Sequence, residues 1–172
     1  MSPREMSPPR HEESAGEPER LIADAMLGSL ARWLRVLGLD TAYDPALDDA
    51  ALVEKAVRER RVILTRDARL VARRRARNHL FIRSGRVEEQ VRQVLGDLGI
   101  GIRPGELFGR CLRCNVPLEN VAAEEARRRV PPFVARTQER FRGCPRCGRL
   151  FWRATHVERM RDRLRAMGVP VA

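Results

Sequence analysis

Four cysteines form two pairs whose spacing predicts a single metal centre. The pairs read Cys-Leu-Arg-Cys and Cys-Pro-Arg-Cys, and 29 residues separate them. Two residues between thiols allow a tight turn that aims both sulfurs at one ion, and Asn115 and Gly148 follow these turns where a positive φ angle is needed. A closed set of four thiolates organises a fold and leaves no coordination position for catalysis. A redox role for one pair is the alternative. The expected ligands of one structural Zn²⁺ are Cys111, Cys114, Cys144 and Cys147.

A second group of candidate ligands consists of carboxylates that follow predicted strands. Asp24 ends the first strand, Asp44 ends the second, Asp49 begins the next helix, and Asp67 follows the third strand. In a parallel sheet, groups at the carboxyl ends of the strands converge on one crevice. Clustered carboxylates repel one another unless a hard cation such as Mg²⁺ or Mn²⁺ neutralises them, and such an ion can activate water against a phosphodiester.

The same carboxylates have structural alternatives. Asp48, Asp49 or Asp67 could cap the helix that it precedes, since Asp is a favoured capping residue. Asp24 is harder to explain in this way, because a carboxylate directly after a buried strand needs a partner. A phosphate-binding loop is disfavoured because no glycine-rich turn follows the first strand, and an aspartyl phosphotransferase because Met26 stands where a second Asp would be required.

These groups must be positioned by a chain in which short apolar runs alternate with helical periodicity. This alternation predicts an α/β fold, a parallel sheet with helices on both faces, connected by right-handed crossovers. The expected strands are 21–23, 41–43, 62–64 and 80–82, and the expected helices are 26–37, 49–60, 68–77 and 87–98.

The composition predicts three regions. Residues 1–20 contain four prolines and almost no apolar residues, so we expect a disordered tail. Residues 21–100 form the α/β domain. Residues 101–172 form a module with a zinc ribbon at about 106–152, a helical excursion between the cysteine pairs, and a basic closing helix.

The formal charge of +11 lies mainly in the C-terminal region. Residues 1–20 carry −2, residues 21–100 carry +4, and residues 101–172 carry +9, from 16 basic and 7 acidic side chains. Such a field attracts phosphate backbones, although arginine-rich solvated faces are the alternative in a chain with one lysine and 33 arginines. RNA is the expected partner. Its candidate contacts are Arg32, Arg66, Arg73, Arg74, Arg75, Arg127, Arg128 and Arg129.

Other classes of protein are disfavoured. No apolar run is long enough for a membrane span, and the N-terminus lacks a secretory segment, which predicts a soluble, cytoplasmic protein without membrane contact. Paired cysteines in a reducing compartment are metal ligands more often than disulfides. No small-molecule cofactor is expected, and the oligomeric state is left open.

Two sequence motifs together with the cysteine pairs carry a resemblance. The motifs are Ile22-Ala23-Asp24-Ala25-Met26-Leu27-Gly28-Ser29-Leu30-Ala31-Arg32-Trp33-Leu34-Arg35 and Leu64-Thr65-Arg66-Asp67. Over roughly residues 21–167 the chain closely resembles the Mut-seven C-terminal RNase domain family. The resemblance implies a PIN-like nuclease fold fused to a C-terminal zinc ribbon, and metal-dependent RNA cleavage. By motif, Asp24, Asp49 and Asp67 look like the family's acidic residues, and Asp44 is a candidate fourth.

One departure bears on activity. PIN-type sites generally use four acidic positions, and Arg83 stands after the predicted fourth strand. The leading expectation is a metal-dependent ribonuclease that cleaves endonucleolytically, with the ribbon aiding RNA binding. The alternatives are a noncatalytic RNA-binding protein with a vestigial acidic site, or an adaptor that docks a protein through the ribbon.

Overall fold

Four short strands form a parallel sheet in the order β2-β1-β3-β4. The computed structural model describes residues 19–73, 75–153 and 155–169, so most of the predicted tail and Arg74 lie outside the described residues. Because all four strands are parallel, their carboxyl ends share one edge of the sheet. The strands are β1 (Leu21–Ala23), β2 (Thr41–Tyr43), β3 (Val62–Thr65) and β4 (His79–Phe81).

The sheet is covered on both faces. Leu21 and Ala23 of β1 belong to one apolar cluster and Ile22 to a second, as expected when successive side chains of a strand point to opposite faces. The first cluster contains the apolar residues of α1 (Gly28–Val36) and α4 (Val87–Asp97). The second contains those of α2 (Asp49–Glu59) and α3 (Ala68–Val71). The predicted α/β fold is confirmed.

Two predicted helices differ from the structure. Where one helix was expected from residue 26, a 3₁₀ turn over Ala25–Leu27 precedes α1. The basic helix expected to reach residue 77 is wrong, because α3 ends at Val71. The arginine run that follows offers no apolar stripe, and a turn in which the Ala76 amide donates to the Arg73 carbonyl (2.9 Å) brings Ala76 into the core instead.

The C-terminal region forms an antiparallel sheet in the order β5-β6-β7, from Glu119–Val121, Phe141–Gly143 and Leu150–Trp152. Two short helices, α5 (Ala123–Arg127) and α6 (Pro132–Thr137), lie between β5 and β6. The insertion between the cysteine pairs is therefore helical in its central part, as expected, and its ends supply two of the three strands.

The last helix, α7 (Thr155–Ala166), returns to the α/β domain. Leu164 on α7 and Met167 just after it lie in the same apolar cluster as α1 and α4. Arg163 donates to Glu88 (2.6 Å) and places its guanidinium 5.3 Å from the ring centroid of Trp33. The end of α7 is thus fixed to α1 and α4. Within the described chain, no helix has both the length and the apolar character needed to cross a lipid bilayer.

Candidate functional site

The four cysteines converge on one point. Their sulfur atoms all lie within 4.8 Å of one another, and the Sγ atoms of Cys111 and Cys147 are 3.8 Å apart. A tetrahedron with Zn–S bonds of about 2.3 Å has edges of about 3.8 Å. The cluster could therefore hold a zinc ion, through Cys111, Cys114, Cys144 and Cys147.

Both cysteine turns have the same hydrogen-bond pattern. In the first, Cys111 Sγ accepts from the Cys114 amide (3.4 Å), and Cys111 O accepts from Asn115 N (2.9 Å). In the second, Cys144 Sγ accepts from the amide of Cys147 (3.4 Å), and Cys144 O accepts from the amide of Gly148 (2.9 Å). Asn115 (φ 61°) and Gly148 (φ 67°) close the two turns in the left-handed region, where Asn and Gly are the best-tolerated residues. Amide donors to sulfur stabilise thiolates, so the local turns prepare the ligands.

The negative charge of four neighbouring thiolates would be stabilised by a bound cation. Burial and hydrogen bonds with the neighbouring thiols raise the pKa of Cys114 to about 12, and burial raises the pKa of Cys111. A backbone hydrogen bond at Arg149 lowers the pKa of Cys147 to about 7. Four thiolates so close together would repel one another, and a coordinated divalent ion removes this penalty by deprotonating its ligands outright.

The first cysteine turn is joined to the outer edge of β2 by Asn115. Its side-chain oxygen accepts from the Thr41 amide (3.0 Å), and its amide group donates to Asp40 Oδ1 (2.7 Å). Arg61 donates to the same Asp40 oxygen (2.7 Å). Burial acts to raise the pKa of Asp40, but the hydrogen bonds from Arg61 and Asn115 outweigh it and hold that pKa below its usual value. We call Asp40, Thr41, Arg61 and Asn115 the edge lock.

Two arginines fix the backbone of the same turn. Arg35, almost fully buried on α1, donates to the carbonyls of Thr41 (2.9 Å) and Leu112 (2.7 Å). Arg110 donates to the carbonyls of Gly38 (2.8 Å) and Asn115 (2.6 Å). The cysteine cluster is therefore rigidly joined to the α1–β2 connection.

The buried carboxylate at the shared edge of the parallel sheet is that of Asp24, which is 6% exposed. Its Oδ1 accepts from the Met26 amide (2.9 Å), and its Oδ2 accepts from the Thr65 hydroxyl and the Arg66 amide (3.2 Å). The neighbouring Gly28 admits Tyr43, because a Cβ at Gly28 would lie 2.6 Å from the Tyr43 hydroxyl oxygen. Asp24 thus finds the partners that its burial requires.

Thr65 links Asp24 to Asp67. The Thr65 hydroxyl donates to Asp24 and accepts from the Asp67 amide (2.9 Å), so the two acidic residues are neighbours at the ends of β1 and β3. The Asp67 carboxylate also caps α3 by accepting from the Arg69 amide (2.7 Å).

The other predicted acidic residues have separate partners. Asp44 accepts from the Ala46 amide (3.0 Å) in a turn after β2. Asp49 forms an ion pair with Arg73 (3.0 Å) in which both side chains are nearly half exposed. Asp48, and not Asp49, caps α2 through the Ala51 amide (2.8 Å). Among the described residues, the four cysteines are the one group of three or more potential ligands close enough to share an ion.

The family follows from a comparison that spans both regions. The model of the Mut7-C RNAse domain family matches residues 19–164 of the 172-residue chain, from β1 through the cysteine cluster into α7. The chain belongs to this family. The match suggests a nuclease-like function. No curated protein and no solved structure matches the chain significantly.

Within this Mut7-C domain, some of the predicted RNA contacts also have protein partners. Arg127 donates to the Ala135 carbonyl (3.2 Å), and Arg129 donates to the Gly148 carbonyl (2.6 Å) and to Glu125 (3.0 Å), so both also support the ribbon. Arg73 is paired with Asp49. The remaining predicted contacts among the described residues, all exposed, are Arg32, Arg66, Arg75 and Arg128.

The Mut7-C domain also contains site residues that sequence reasoning missed. Thr65 joins two acidic positions, and its signal was its place between Leu64 and Arg66-Asp67 in the motif already singled out. Asp40 and Arg35 gave no signal, because their contacts with the cysteine turn join residues that are 75 and 77 positions apart along the chain.

Proposed function

We propose that the chain is a metal-dependent ribonuclease that cleaves RNA endonucleolytically at the carboxyl edge of its parallel sheet. The observation that supports this proposal most directly is the buried carboxylate of Asp24, joined through Thr65 to the backbone of Asp67 at the ends of the two central strands. Open parallel sheets bind ligands at this edge.

In this proposal, Asp24, Asp49 and Asp67 hold Mg²⁺ or Mn²⁺, with Asp44 as a fourth ligand. The cation would lower the pKa of a bound water and offset charge on the phosphate. Binding requires Asp49 to release Arg73. An ion pair between side chains that are 42% and 48% exposed stabilises a protein by only about 0–1 kcal/mol, so a cation with several carboxylate ligands can displace the guanidinium.

RNA would be held by the exposed arginines near the acidic edge and by the ribbon, with a structural zinc ion in the cysteine cluster. Arg66 precedes Asp67 in the chain and Arg73 pairs with Asp49, so in this proposal both would neutralise phosphates beside the cleavage position. Contacts to phosphates position a strand without reading its sequence. We therefore expect cleavage with little base preference.

The test compares Asp24→Asn with the wild type on a fluorescently labelled RNA, with Mn²⁺ or Mg²⁺ added or left out. We expect cation-dependent cleavage by the wild type and a loss of at least about a hundredfold in the variant, with RNA affinity retained, because removing a ligand of the cation removes the activated water. Asp162→Asn is the matched control, since Asp162 is an exposed carboxylate on α7 that pairs with Arg165.

A second candidate function is supported by the partners of the carboxylates. Asp49 is neutralised by Arg73, both oxygens of Asp24 accept protein hydrogen bonds, and Arg83 after β4 pairs with Asp97 (3.1 Å). These contacts suit a noncatalytic RNA-binding protein. RNA binding without cleavage at any Mn²⁺ concentration, equal in wild type and Asp24→Asn, would establish that alternative.

A further inference from the structure

A groove of about 720 Å³ lies between the antiparallel sheet of the ribbon and the first turns of α7. Its lining includes neither a cysteine of the cluster nor any predicted carboxylate. Phe151 and Trp152 of β7 are half-buried there. Phe108, in the loop before the first cysteine turn, and Val157 of α7 are also half-buried. Phe151 pairs with Arg142 on one face of the sheet and Trp152 pairs with Phe141 on the other, so the groove is lined by a partly exposed aromatic ring from each face.

The same groove is strongly basic. Arg140, Arg142, Arg153 and Arg161 line it, against one acidic side chain, Glu139. Arg153 is paired with Glu158 on α7 (2.8 Å). Arg140 and Arg142 are exposed, and neither side chain has a hydrogen-bond or ion-pair partner among the described residues. Two guanidinium groups are thus available to a ligand.

Arg161 adds a second indication of a ligand. Its Nε–H is buried and has no acceptor within residues 19–73, 75–153 and 155–169. A buried donor without an acceptor is unfavourable, and a ligand oxygen at this position would satisfy it.

We infer that this groove binds single-stranded RNA, with bases stacked on the aromatic rings and phosphates held by Arg140 and Arg142. The inference rests on the proposed function in taking RNA as the ligand. Aromatic faces beside arginines are the combination that binds single strands, because each base offers a π-face and each phosphate a charge. A duplex hides its base faces by stacking, so it gains only the phosphate contacts. The acceptor for Arg161 Nε would be a base carbonyl or a phosphate oxygen.

The groove would add a second RNA-binding surface, separate from the acidic edge. None of the arginines predicted to contact RNA lines this groove, which is formed by residues of all three ribbon strands and of α7. A strand held here by its bases would be unpaired. RNA substrates would therefore be single-stranded segments, and structured RNA would be recognised at loops and ends.

Trp152 is a built-in reporter for this proposal. The chain has two tryptophans, and the other, Trp33, is 9% exposed beneath Arg163. In a Trp33→Phe protein the emission comes from Trp152 alone. We titrate it with a short oligouridylate, its duplex with oligoadenylate, and an oligoglutamate of equal charge, without divalent cations or chelator, so that cleavage is off and bound zinc stays. Saturable quenching is expected with the single strand, at several-fold lower concentration than with the duplex, and none with the peptide.

Substitutions then assign the contacts. Trp152→Ala removes the reporter, so its Kd is measured by the anisotropy of a fluorescently labelled oligouridylate. It should rise roughly 5- to 150-fold, the range expected for one stacked base. Arg142→Ala should raise the Kd several-fold and reduce the salt slope by about one unit. Phe133→Ala and Arg136→Ala on α6 are matched controls, because both side chains are exposed and outside the groove; they should change the Kd less than about twofold. Arg142→Ala removes an exposed side chain, so it tests the groove even if Trp152→Ala does not fold.

The outcomes separate this proposal from the ribonuclease. RNA that binds the chain without changing Trp152 emission overturns the groove, as does an Arg142→Ala effect no larger than that of Arg136→Ala. Quenching by oligoglutamate equal to that by RNA overturns it in favour of an acidic protein segment. RNA cleavage with Mn²⁺ and a silent Trp152 leaves the ribonuclease standing without the groove. Quenching without cleavage leaves the groove standing without the ribonuclease.

Discussion

The cysteine cluster and the acidic edge of the sheet are built in opposite ways. The four thiols converge, and backbone amides donate to the sulfurs of Cys111 and Cys144. The carboxylates are spread over separate loops, and each has a protein partner of its own. Asp24 is bound by Thr65 and Asp49 by Arg73, while Asp67 caps a helix.

The difference follows from the span of chain that positions each ligand. Within each cysteine pair, one turn of five residues sets the positions of both sulfurs, so a local sequence determines half of the site. Each carboxylate follows a different strand, and its distance from the others depends on sheet order, loop conformation and competing donors. Two local turns each preset half of the thiolate site, whereas no local turn brings two of the carboxylates together.

The two regions are nevertheless coupled. The edge lock joins the first cysteine turn to β2, and Tyr43 at the end of β2 donates to the Ala25 carbonyl (3.1 Å), next to Asp24. Loss of the hydrogen bonds of the edge lock should therefore also affect the conformation of the acidic edge.

Loss of zinc should change the stability of the ribbon more than any substitution considered below. Structural zinc binding contributes on the order of 10–16 kcal/mol in small peptides, which is more than the short strands β5 to β7 could otherwise supply. Elemental analysis should find one zinc per chain. Chelation, or Cys144→Ser, should remove the amide signals of residues 106–152 while those of β1 to β4 persist. Native ribbon signals in zinc-free protein would show that the cluster is not a folding centre.

Asn115→Ala should have the next largest effect. It leaves the buried Thr41 amide without its acceptor, at about 1–3 kcal/mol, and places Ala in a left-handed conformation that costs roughly 1 kcal/mol more. Urea denaturation should therefore show a loss of about 2–4 kcal/mol. Asn115→Gly is the matched control, because it accepts the backbone angle and loses only the side chain; it should be about 1 kcal/mol less harmful. Equal losses would mean that the backbone angle does not matter.

Sequence patterns predicted the α/β domain closely. The strand at 21–23 and the helices at 49–60 and 87–98 agree with the structure to within one residue, because each run has a Gly or Asp at one of its ends. The helix predicted to extend to residue 77 was wrong. Arginines favour a helix intrinsically, but the segment after Val71 has no apolar stripe to pack a helix against the core.

What could not be predicted depends on contacts between distant residues. The spacing of the cysteines predicted their convergence, because two tight turns suffice. The strand order β2-β1-β3-β4, the edge lock and the pairing of Asp49 with Arg73 arise only after folding. Asp24 and Asp67 were expected at one edge because each follows a strand of a parallel sheet. The hydrogen bonds by which Thr65 links them could not be predicted from any periodicity in the sequence.

Asp24→Asn tests whether the acidic edge is held by hydrogen bonds or strained by repulsion. An amide has one acceptor oxygen, so it cannot serve both the Met26 amide and the donors from Thr65 and Arg66. We expect a loss of about 1–3 kcal/mol in metal-free protein, measured by urea denaturation. An unchanged or raised stability would show that repulsion dominates, as in a preformed cation site. Asp162→Asn, at an exposed ion pair, should be nearly neutral.

Asp49→Asn should have the smallest effect on metal-free stability, because it removes only an exposed ion pair worth about 0–1 kcal/mol. Asp48→Ala, one residue earlier, removes the cap of α2 and should cost about 1 kcal/mol. If Asp49 were the capping residue, both substitutions would be nearly neutral, because Asn caps a helix as well as Asp does. Mn²⁺ then sharpens the test: an ion bound only by the folded chain at a hundred times its Kd stabilises it by about 2.7 kcal/mol. If Asp49 is a ligand, Asp49→Asn should lose most of that gain and Asp48→Ala should keep it. Equal gains in both variants would remove Asp49 from the cation site and leave it as the partner of Arg73.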